Sequence, residues 1–194
     1  MQAADPSYFE SHPLVPFDLE ASLETTGLRL VRPNDVEVLF SQIYGATEVL
    51  RWLCWSGPED LERLERRYVP PFFGQSGTTF GVMLAVVDEA RGVPIGEVSL
   101  TFERSLESCE LGYWLSPDAQ GEGHGNRLVE LAVGLAIERI GCQSVTASVM
   151  EGNDRSLRVL RRAGFDLRRI PETPGRRADG IAWIATATAC SRRT

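Results

Sequence analysis

The stretch LSPDAQGEGHGNRLVELAVGLA, residues 115–136, decides the fold of this 194-residue chain. Three glycines stand at alternate positions, Gly121, Gly123 and Gly125, directly before a segment whose apolar residues repeat with a helical period. Each glycine costs about 0.5–1 kcal/mol of backbone entropy relative to alanine, so the arrangement needs a physical reason. A helix N-terminus presents unpaired N–H groups with a partial positive charge and binds anions, phosphate above all. Glycines let the backbone approach such an anion closely.

The glycine stretch departs from the two common nucleotide-binding loops. The dinucleotide fingerprint G-x-G-x-x-G needs a glycine where this chain has Asn126, and a Walker loop needs G-K-[ST] before the helix. A nucleotide-binding regulator is therefore disfavoured, and tight NAD or ATP binding would revive it. A turn that only requires positive φ angles is the other alternative, although one such turn needs fewer glycines.

Composition predicts a single folded domain with an acidic surface. Hydrophobic residues make up 43% of the chain, and the formal net charge is −7. This charge argues against a nucleic-acid partner and suits a cationic amine. The four cysteines and two histidines are too scattered for a metal site or a disulfide framework. We see no signal peptide or membrane span, so we expect a cytoplasmic protein without a membrane partner.

The rest of the chain alternates strand-like and helix-like segments. Residues 78–115 read as an antiparallel meander, whereas PPFFGQSG (70–77) reads as a loop. We predict an α+β (mixed α/β) fold, with a mostly antiparallel sheet of about six to seven strands and helices on both faces. Residues 1–26 are expected to form an N-terminal extension and residues 27–190 one domain. The predicted strands are 28–33, 78–88, 94–103, 108–115, 143–150, FDLRRI and GIAWIATAT, and the predicted helices are 34–45, 58–68, the segment after the glycines, and 153–165.

GYWLSPDAQGEGHGNRL resembles the acetyl-CoA motif of the GNAT superfamily of N-acetyltransferases. Gln120, Gly123 and Gly125 stand at the fixed positions of its Q/R-x-x-G-x-G/A signature. Three further stretches, LETTGLRLVRP, CELGYWL and NDRSLRVLRRAGF, are similar to segments of the branch that acetylates ribosomal-protein N-termini, in the same order. The resemblance runs from about residue 23 to 188. It implies the GNAT fold, whose central sheet is splayed in the middle.

The resemblance implies a site for acetyl-CoA and no metal. The pyrophosphate is expected on the backbone amides of residues 121–126, with side-chain donors beside the turn. The pantetheine arm is expected to pair like an extra strand in the splay between strands 108–115 and 143–150. The residues implied to contact the cofactor are Trp114, Leu115, Gln120, Gly121, Glu122, Gly123, His124, Gly125, Asn126, Arg127, Asn153 and, for the 3′-phosphate, Arg162.

Acetyl transfer to an amine needs a base, because a primary amine with a pKa near 10 is mostly protonated at neutral pH. Glu110 is the first candidate, since it shares one strand face with Gly112 and Trp114. The resemblance supports this choice, because related enzymes use a glutamate at this strand position. A surface salt bridge is the non-catalytic alternative for Glu110. Glu97 on the preceding strand is the reserve candidate.

The leaving thiolate needs a proton donor, and the oxyanion needs a hydrogen-bond donor such as a backbone N–H near Leu115. Many GNAT members use a tyrosine in the helix after Asn153, but Leu160 stands at the matching position in this chain. The resembling branch implies Ser156 as the substitute. The alternative for Ser156 is helix capping together with Asn153.

These features predict an acetyl-CoA-dependent N-acetyltransferase that acts on a primary amine by direct attack in a ternary complex. The acceptor is a protein N-terminus or a small-molecule amine, and a homodimer is compatible with the sequence. Because the tyrosine of the family is missing, a non-catalytic acyl-CoA-binding module is the alternative. The aromatic residues of RWLCWSG (51–57) and PPFFG (70–74) are expected in the core or in an acceptor pocket.

Overall fold

A computed structural model describes residues 28–68, 72–76, 79–103, 105–171 and 180–189, with the backbone alone for residues 72–76. The expected N-terminal extension, residues 1–26, lies outside this part of the chain. In the described ranges eight strands form one sheet with helices on both faces, and the expected α+β class is confirmed.

The elements agree with the sequence prediction within a few residues, with two exceptions. The predicted loop at 70–77 contains a strand, because pairing with the neighbouring strand outweighs the local loop signal of Pro70 and Pro71. A short helix after Tyr44 was also not predicted. In chain order the elements are β1 (Leu28–Leu30), α1 (Pro33–Ile43), α2 (Thr47–Leu50), α3 (Leu61–Tyr68), β2 (Phe72–Ser76), β3 (Thr79–Asp88), β4 (Val93–Glu103), β5 (Ser108–Leu115), a 3₁₀ turn (Pro117–Ala119), α4 (His124–Gly134) with a π-helical continuation (Leu135–Ile140), β6 (Ser144–Met150), α5 (Asp154–Arg162), β7 (Asp166–Arg169) and β8 (Ile181–Thr188).

The sheet is antiparallel except at its centre. Seven strands follow the order β1-β3-β4-β5-β6-β8-β7, and β2 pairs with β3 in addition. The central strands β5 and β6 run parallel and pair over three residue pairs, the last of which is Glu110 with Thr146. Beyond this pair the two strands form no further ladder within the described residues, so a gap opens between their carboxyl ends. This gap is the splay that the GNAT resemblance implies.

Each face of the sheet carries its own hydrophobic core. We call the face that carries α1 and α3 the front face, and the face that carries α4 and α5 the back face. Leu39, Leu64 and Met83 are buried in the front core, and Leu128 and Leu160 are buried in the back core. None of the described helices has the length and apolar composition of a membrane span.

Alternation along β4 and β5 sorts their side chains between these two cores. Leu100 and Leu111 lie in the back core, whereas Trp114 packs into the front core. Residues 96–102 of β4 each face a residue of β5 on the same side of the sheet. The front-face pairs are Glu97 with Trp114, Ser99 with Gly112, and Thr101 with Glu110.

Candidate active site

The gap between β5 and β6 exposes main-chain groups of β5. Ser116 N–H donates to Ile95 O across the β4–β5 ladder, at 2.9 Å. Successive residues of a strand direct their N–H and C=O groups to opposite edges. The main-chain groups of Trp114 therefore face β4, while those of Tyr113 and Leu115 face the gap. The GNAT resemblance implied Trp114 and Leu115 as the main-chain partners of an extended ligand, and the structure directs the main-chain groups of Tyr113, in place of those of Trp114, to the gap.

Gln120 joins the two sides of the gap at its open end. Its Nε2 donates to Leu115 O at 3.1 Å, and its Oε1 accepts from Arg155 Nη1 at 2.7 Å. The side chain that the motif places beside a phosphate therefore also ties the end of β5 to the first turn of α5. Arg155 is not among the residues predicted from the sequence, although its position two residues after the cap Asn153 is a usable signal.

Two of the three glycines are required by backbone conformation. Gly121 has φ 95° and Gly123 has φ 92°, in the left-handed region that favours glycine. A Cβ at either position would meet no other atom within 4 Å. Gly125 differs, because its Cβ would lie 3.4 Å from Val159 Cγ2 of α5. Positive φ therefore accounts for two glycines, whereas a Cβ at the third would pack against α5, and the space around the first two is open.

The glycine turn leaves a run of backbone donors free. The amides of Asn126 and Arg127 donate to Gly123 O, at 3.1 and 3.3 Å. In the part of the chain that the structure describes, the amides of Gly121 to Gly125 donate to no protein acceptor. The free run is thus one residue shorter than the 121–126 run that the sequence analysis expected. These free amides belong to the residues just before α4 and to its first two residues, where the helix dipole adds a partial positive charge.

Acidic side chains lie beside Arg127 and His124 near the turn. Arg127 Nη2 lies 2.5 Å from Glu89 Oε1, and both side chains are more than half exposed. His124 Nε2 lies 3.4 Å from Glu122 Oε2. Exposed pairs of this kind contribute about 0–1 kcal/mol, so an anion at the turn could recruit Arg127 at little cost.

Arg162 lies away from the glycine turn. It stands in the last turn of α5, about 10 Å along the helix axis from Arg155, which contacts the turn through Gln120. The structure therefore brings Arg155 to the glycine turn and leaves Arg162 exposed at the other end of the helix. The described residues contain no group of three or more His, Cys, Asp or Glu side chains placed to hold a metal ion.

The two candidate bases on the front face have different surroundings. Glu97 is 4% exposed, and its Oε2 accepts hydrogen bonds from Trp114 Nε1 at 2.9 Å and from the Tyr68 hydroxyl. Burial, and next the charge of Glu97, raise the pKa of Tyr68 well above its ordinary value, so this hydroxyl remains a donor. Through these hydrogen bonds Glu97 links α3 and β5 to its own strand, β4.

Glu110 is exposed and lies where the β5–β6 ladder ends. Among the described side chains, none donates a hydrogen bond to its carboxylate. The non-catalytic alternative, a salt bridge, is thus not formed with any described residue. The structure places Glu110, rather than Glu97, at the closed end of the gap with its carboxylate available.

On the back face a pair of hydroxyls spans the gap. Tyr113 Oη of β5 lies 2.9 Å from Ser156 Oγ of α5. Asn153 Oδ1 accepts from Ser156 N–H at 3.2 Å, so Asn153 caps α5 as predicted, while the Ser156 hydroxyl takes no part in the cap. Burial raises the pKa of Tyr113 to about 12, and its hydrogen bond with Ser156 opposes this shift. Leu160 is fully buried in the core.

Comparison with known proteins gives a family and a set of similar folds. Residues 26–166 match the family model of the acetyltransferase (GNAT) domain. No curated protein matches the chain.

Three solved structures show the same architecture, and at 14–20% identity the likeness establishes the fold alone. A Vibrio cholerae protein assigned as a ribosomal-protein-serine acetyltransferase has 18% identity and a TM-score of 0.64, over 83% of this chain and 92% of that one. The Vibrio cholerae spermidine N-acetyltransferase in complex with CoA and spermine has 14% identity and a TM-score of 0.68, over 86% and 97%. The aminoglycoside acetyltransferase AAC(6')-Ib in complex with coenzyme A has 20% identity and a TM-score of 0.66, also over 86% and 97%.

The raised pKa of Tyr113 predicts a loss of stability at alkaline pH. The folded value of about 12 exceeds the ordinary tyrosine value of about 10. The folded state thus holds this proton more tightly, and the stabilisation is complete below about pH 10 and is lost as pH rises through about 12. All 20 basic residues are arginines, so no lysine titrates in this range. Urea unfolding between about pH 9 and 11 should show a smaller loss of free energy for Tyr113→Phe than for wild type, and equal losses would contradict the assignment.

Proposed function

Because the chain belongs to the GNAT acetyltransferase family, we propose that it transfers the acetyl group of acetyl-CoA directly to a primary amine in a ternary complex. The observation that carries the proposal is the gap between β5 and β6. The free amides of the glycine turn lie at its open end, and Glu110 and Ser156 lie on its two faces. We assign this activity to one domain, residues 27–190.

The residues around the gap fit acetyl-CoA. A diphosphate suits the free amides of Gly121 to Gly125 and the dipole of α4. The amide groups of a pantetheine arm suit the main-chain groups of Tyr113 and Leu115, which face the gap as an unpaired strand edge would. Bound in this way, acetyl-CoA supplies a thioester that an amine can attack. Two solved structures of the same fold are complexes with CoA, which supports this choice.

Side chains around the turn complete the proposed cofactor site. We assign Arg155 and Arg127 to the phosphates, because one already contacts Gln120 and the other is held only by an exposed ion pair. Arg162 is retained as a more distant candidate for the 3′-phosphate. The remaining members of the proposed site are Gln120, Glu122, His124, Asn126 and Asn153.

We assign the removal of the amine proton to Glu110, directly or through one water. Glu110 is the last β5 residue paired with β6, so its carboxylate lies beside the closed end of the gap, into which the arm would extend. Glu97 serves less well, because Trp114 and Tyr68 both donate to it in a buried site. Two glutamates on one face of an acidic protein also favour a cationic acceptor.

On the opposite face, Ser156 is the proposed hydrogen-bond donor to the leaving thiolate. Its hydroxyl is directed across the gap to Tyr113 and is not used by the helix cap. The N–H of Tyr113 faces the gap nearer to Glu110 than the N–H of Leu115 does, and it is the proposed donor to the oxyanion, while Leu115 serves the arm. The base and the thiolate donor thus act from different faces of the sheet, on either side of the thioester.

Turnover with a panel of amines tests the proposed function. We expect free thiol to be released from acetyl-CoA in the presence of spermidine, kanamycin or a peptide with an N-terminal serine, and one primary amine to be lost per thiol. Amine loss can be followed with a fluorogenic amine reagent, because the chain has no lysine side chain to react. Acetyl-CoA binding without thiol release for every amine would contradict catalysis and favour the non-catalytic acyl-CoA-binding module.

The glycine cradle predicts a specific loss of cofactor binding in Gly123→Ala. Its Cβ would enter the open space that the proposed diphosphate occupies, so we expect acetyl-CoA affinity to fall about tenfold or more. Gly141→Ala is the matched control, because Gly141 has φ 91° and its Cβ would also meet nothing within 4 Å. Both substitutions cost about 1–2 kcal/mol of backbone strain. Calorimetric titration should show weaker acetyl-CoA binding in Gly123→Ala than in Gly141→Ala. Equal affinities in the two folded variants would exclude the cradle.

The proposed base predicts that Glu110→Gln lowers kcat by roughly 10²–10⁴ while the Kd for acetyl-CoA is unchanged. The substitution keeps the size of the side chain and removes the proton acceptor. Glu97→Gln is the control, since it keeps an oxygen that accepts from Trp114 and Tyr68. Steady-state kinetics with the fastest amine of the panel should show the fall in kcat for Glu110→Gln and not for Glu97→Gln. A loss confined to Glu97→Gln would transfer the role of base to Glu97.

A further inference from the structure

The hydrogen bond between Tyr113 and Ser156 joins two elements that the gap separates. Tyr113 belongs to β5, on one side of the gap, and Ser156 belongs to α5, which follows the strand on the other side. The two oxygens are 2.9 Å apart although 43 positions separate the residues in the chain. Nothing in the sequence alone assigned a role to Tyr113.

The acidity of the two hydroxyls indicates the direction of this bond. A phenol is a stronger acid than an aliphatic alcohol, and the better donor is the stronger acid. With Tyr113 as donor, Ser156 Oγ accepts, and the hydrogen of Ser156 is free to point into the gap. A serine in the first turns of a helix otherwise tends to donate to a carbonyl of the preceding turn. The bond from Tyr113 opposes that alternative.

We propose that Tyr113 is a positioning residue for acetyl transfer: its hydroxyl donates to Ser156 Oγ and directs the Ser156 hydrogen toward the sulfur that leaves. The inference rests on the proposed function, because it needs a thioester in the gap.

Protons and electrons balance in this step. Glu110 first takes one proton from the ammonium and passes it to solvent. The amine nitrogen then bonds to the carbonyl carbon and gives a second proton to Glu110, the C–S bond breaks, and its electron pair goes to sulfur. Ser156 donates a hydrogen bond to the sulfur while Tyr113 donates one to Ser156. The amine proton finally reaches the thiolate through solvent, and each hydroxyl ends with its own proton.

The chemistry of Tyr113 suits a donor that is not consumed. Burial raises its pKa to about 12, above the value of about 8.5 for an alkyl thiol such as cysteine. A thiolate therefore does not deprotonate Tyr113, and the hydroxyl pair remains neutral as charge develops on sulfur. Hydrogen bonds to a charged acceptor are the stronger kind, so the pair stabilises the leaving group more than the thioester.

A double-mutant cycle tests whether Tyr113 acts through Ser156. The variants are Tyr113→Phe, Ser156→Ala and the double variant, with Tyr44→Phe as the control, because Tyr44 is 57% exposed and lies at the end of α1. Each is assayed with the amine panel and two donors, acetyl-CoA and 4-nitrothiophenyl acetate, whose aromatic thiol is far more acidic. Calorimetric titration gives the Kd for acetyl-CoA, and thermal unfolding shows whether each variant is folded.

We expect each single variant to lower kcat with acetyl-CoA roughly tenfold, at unchanged Kd. The double variant should be no slower than Ser156→Ala, and all variants should approach the wild-type rate with 4-nitrothiophenyl acetate. Multiplying effects in the double variant, or equal slowing with both donors, would overturn the inference.

The failure of the inference and the failure of the proposed function give different results. If wild type and Tyr44→Phe turn over and only Ser156→Ala is slowed, the role of Tyr113 alone is overturned. If wild type releases no thiol from acetyl-CoA with any amine of the panel, the proposed function fails and the inference fails with it.

Discussion

The structure depends on one departure from regular sheet pairing. The central strands β5 and β6 pair in parallel as far as Glu110 and Thr146 and then part. Main-chain groups inside a folded protein need hydrogen-bond partners, so the edge of β5 that faces the gap is suited to an extended ligand with amide groups. The turn after β5 then places free amides and a helix dipole at the open end. A ligand with a diphosphate at one end and an amide-containing arm meets both requirements.

The gap also divides the chemistry between the two faces of the sheet. Alternation along β5 sends Glu110 to the front face and Tyr113 to the back face, three residues apart on one strand. A carboxylate acting on the amine and a hydroxyl pair acting on the leaving sulfur therefore approach a thioester in the gap from opposite faces. Neither group needs to be displaced for the other to act. One strand supplies both groups because its successive side chains alternate between the two faces of the sheet.

Local patterns in the sequence predicted most of the fold, but they could not predict contacts between residues far apart in the chain. Periodicity and capping residues placed α5 and its cap Asn153, and alternation placed β3, β4 and β5. The glycine motif placed the turn before α4, yet it did not reveal that Gln120 joins Leu115 O to Arg155, because that bond depends on how α5 packs beside β5. The same limit applies to Tyr113 and Ser156. β2 was missed because its pairing with β3, and not its own sequence, makes it a strand.

A crystal structure of the chain with CoA would test the central claim most directly. The account predicts that the diphosphate accepts hydrogen bonds from the amides of Gly121 to Gly125 and that the pantetheine arm lies between β5 and β6 beside Tyr113 and Leu115. The sulfur should lie within hydrogen-bond reach of Ser156 Oγ. A diphosphate bound away from the turn, or an arm that runs outside the gap, would contradict it.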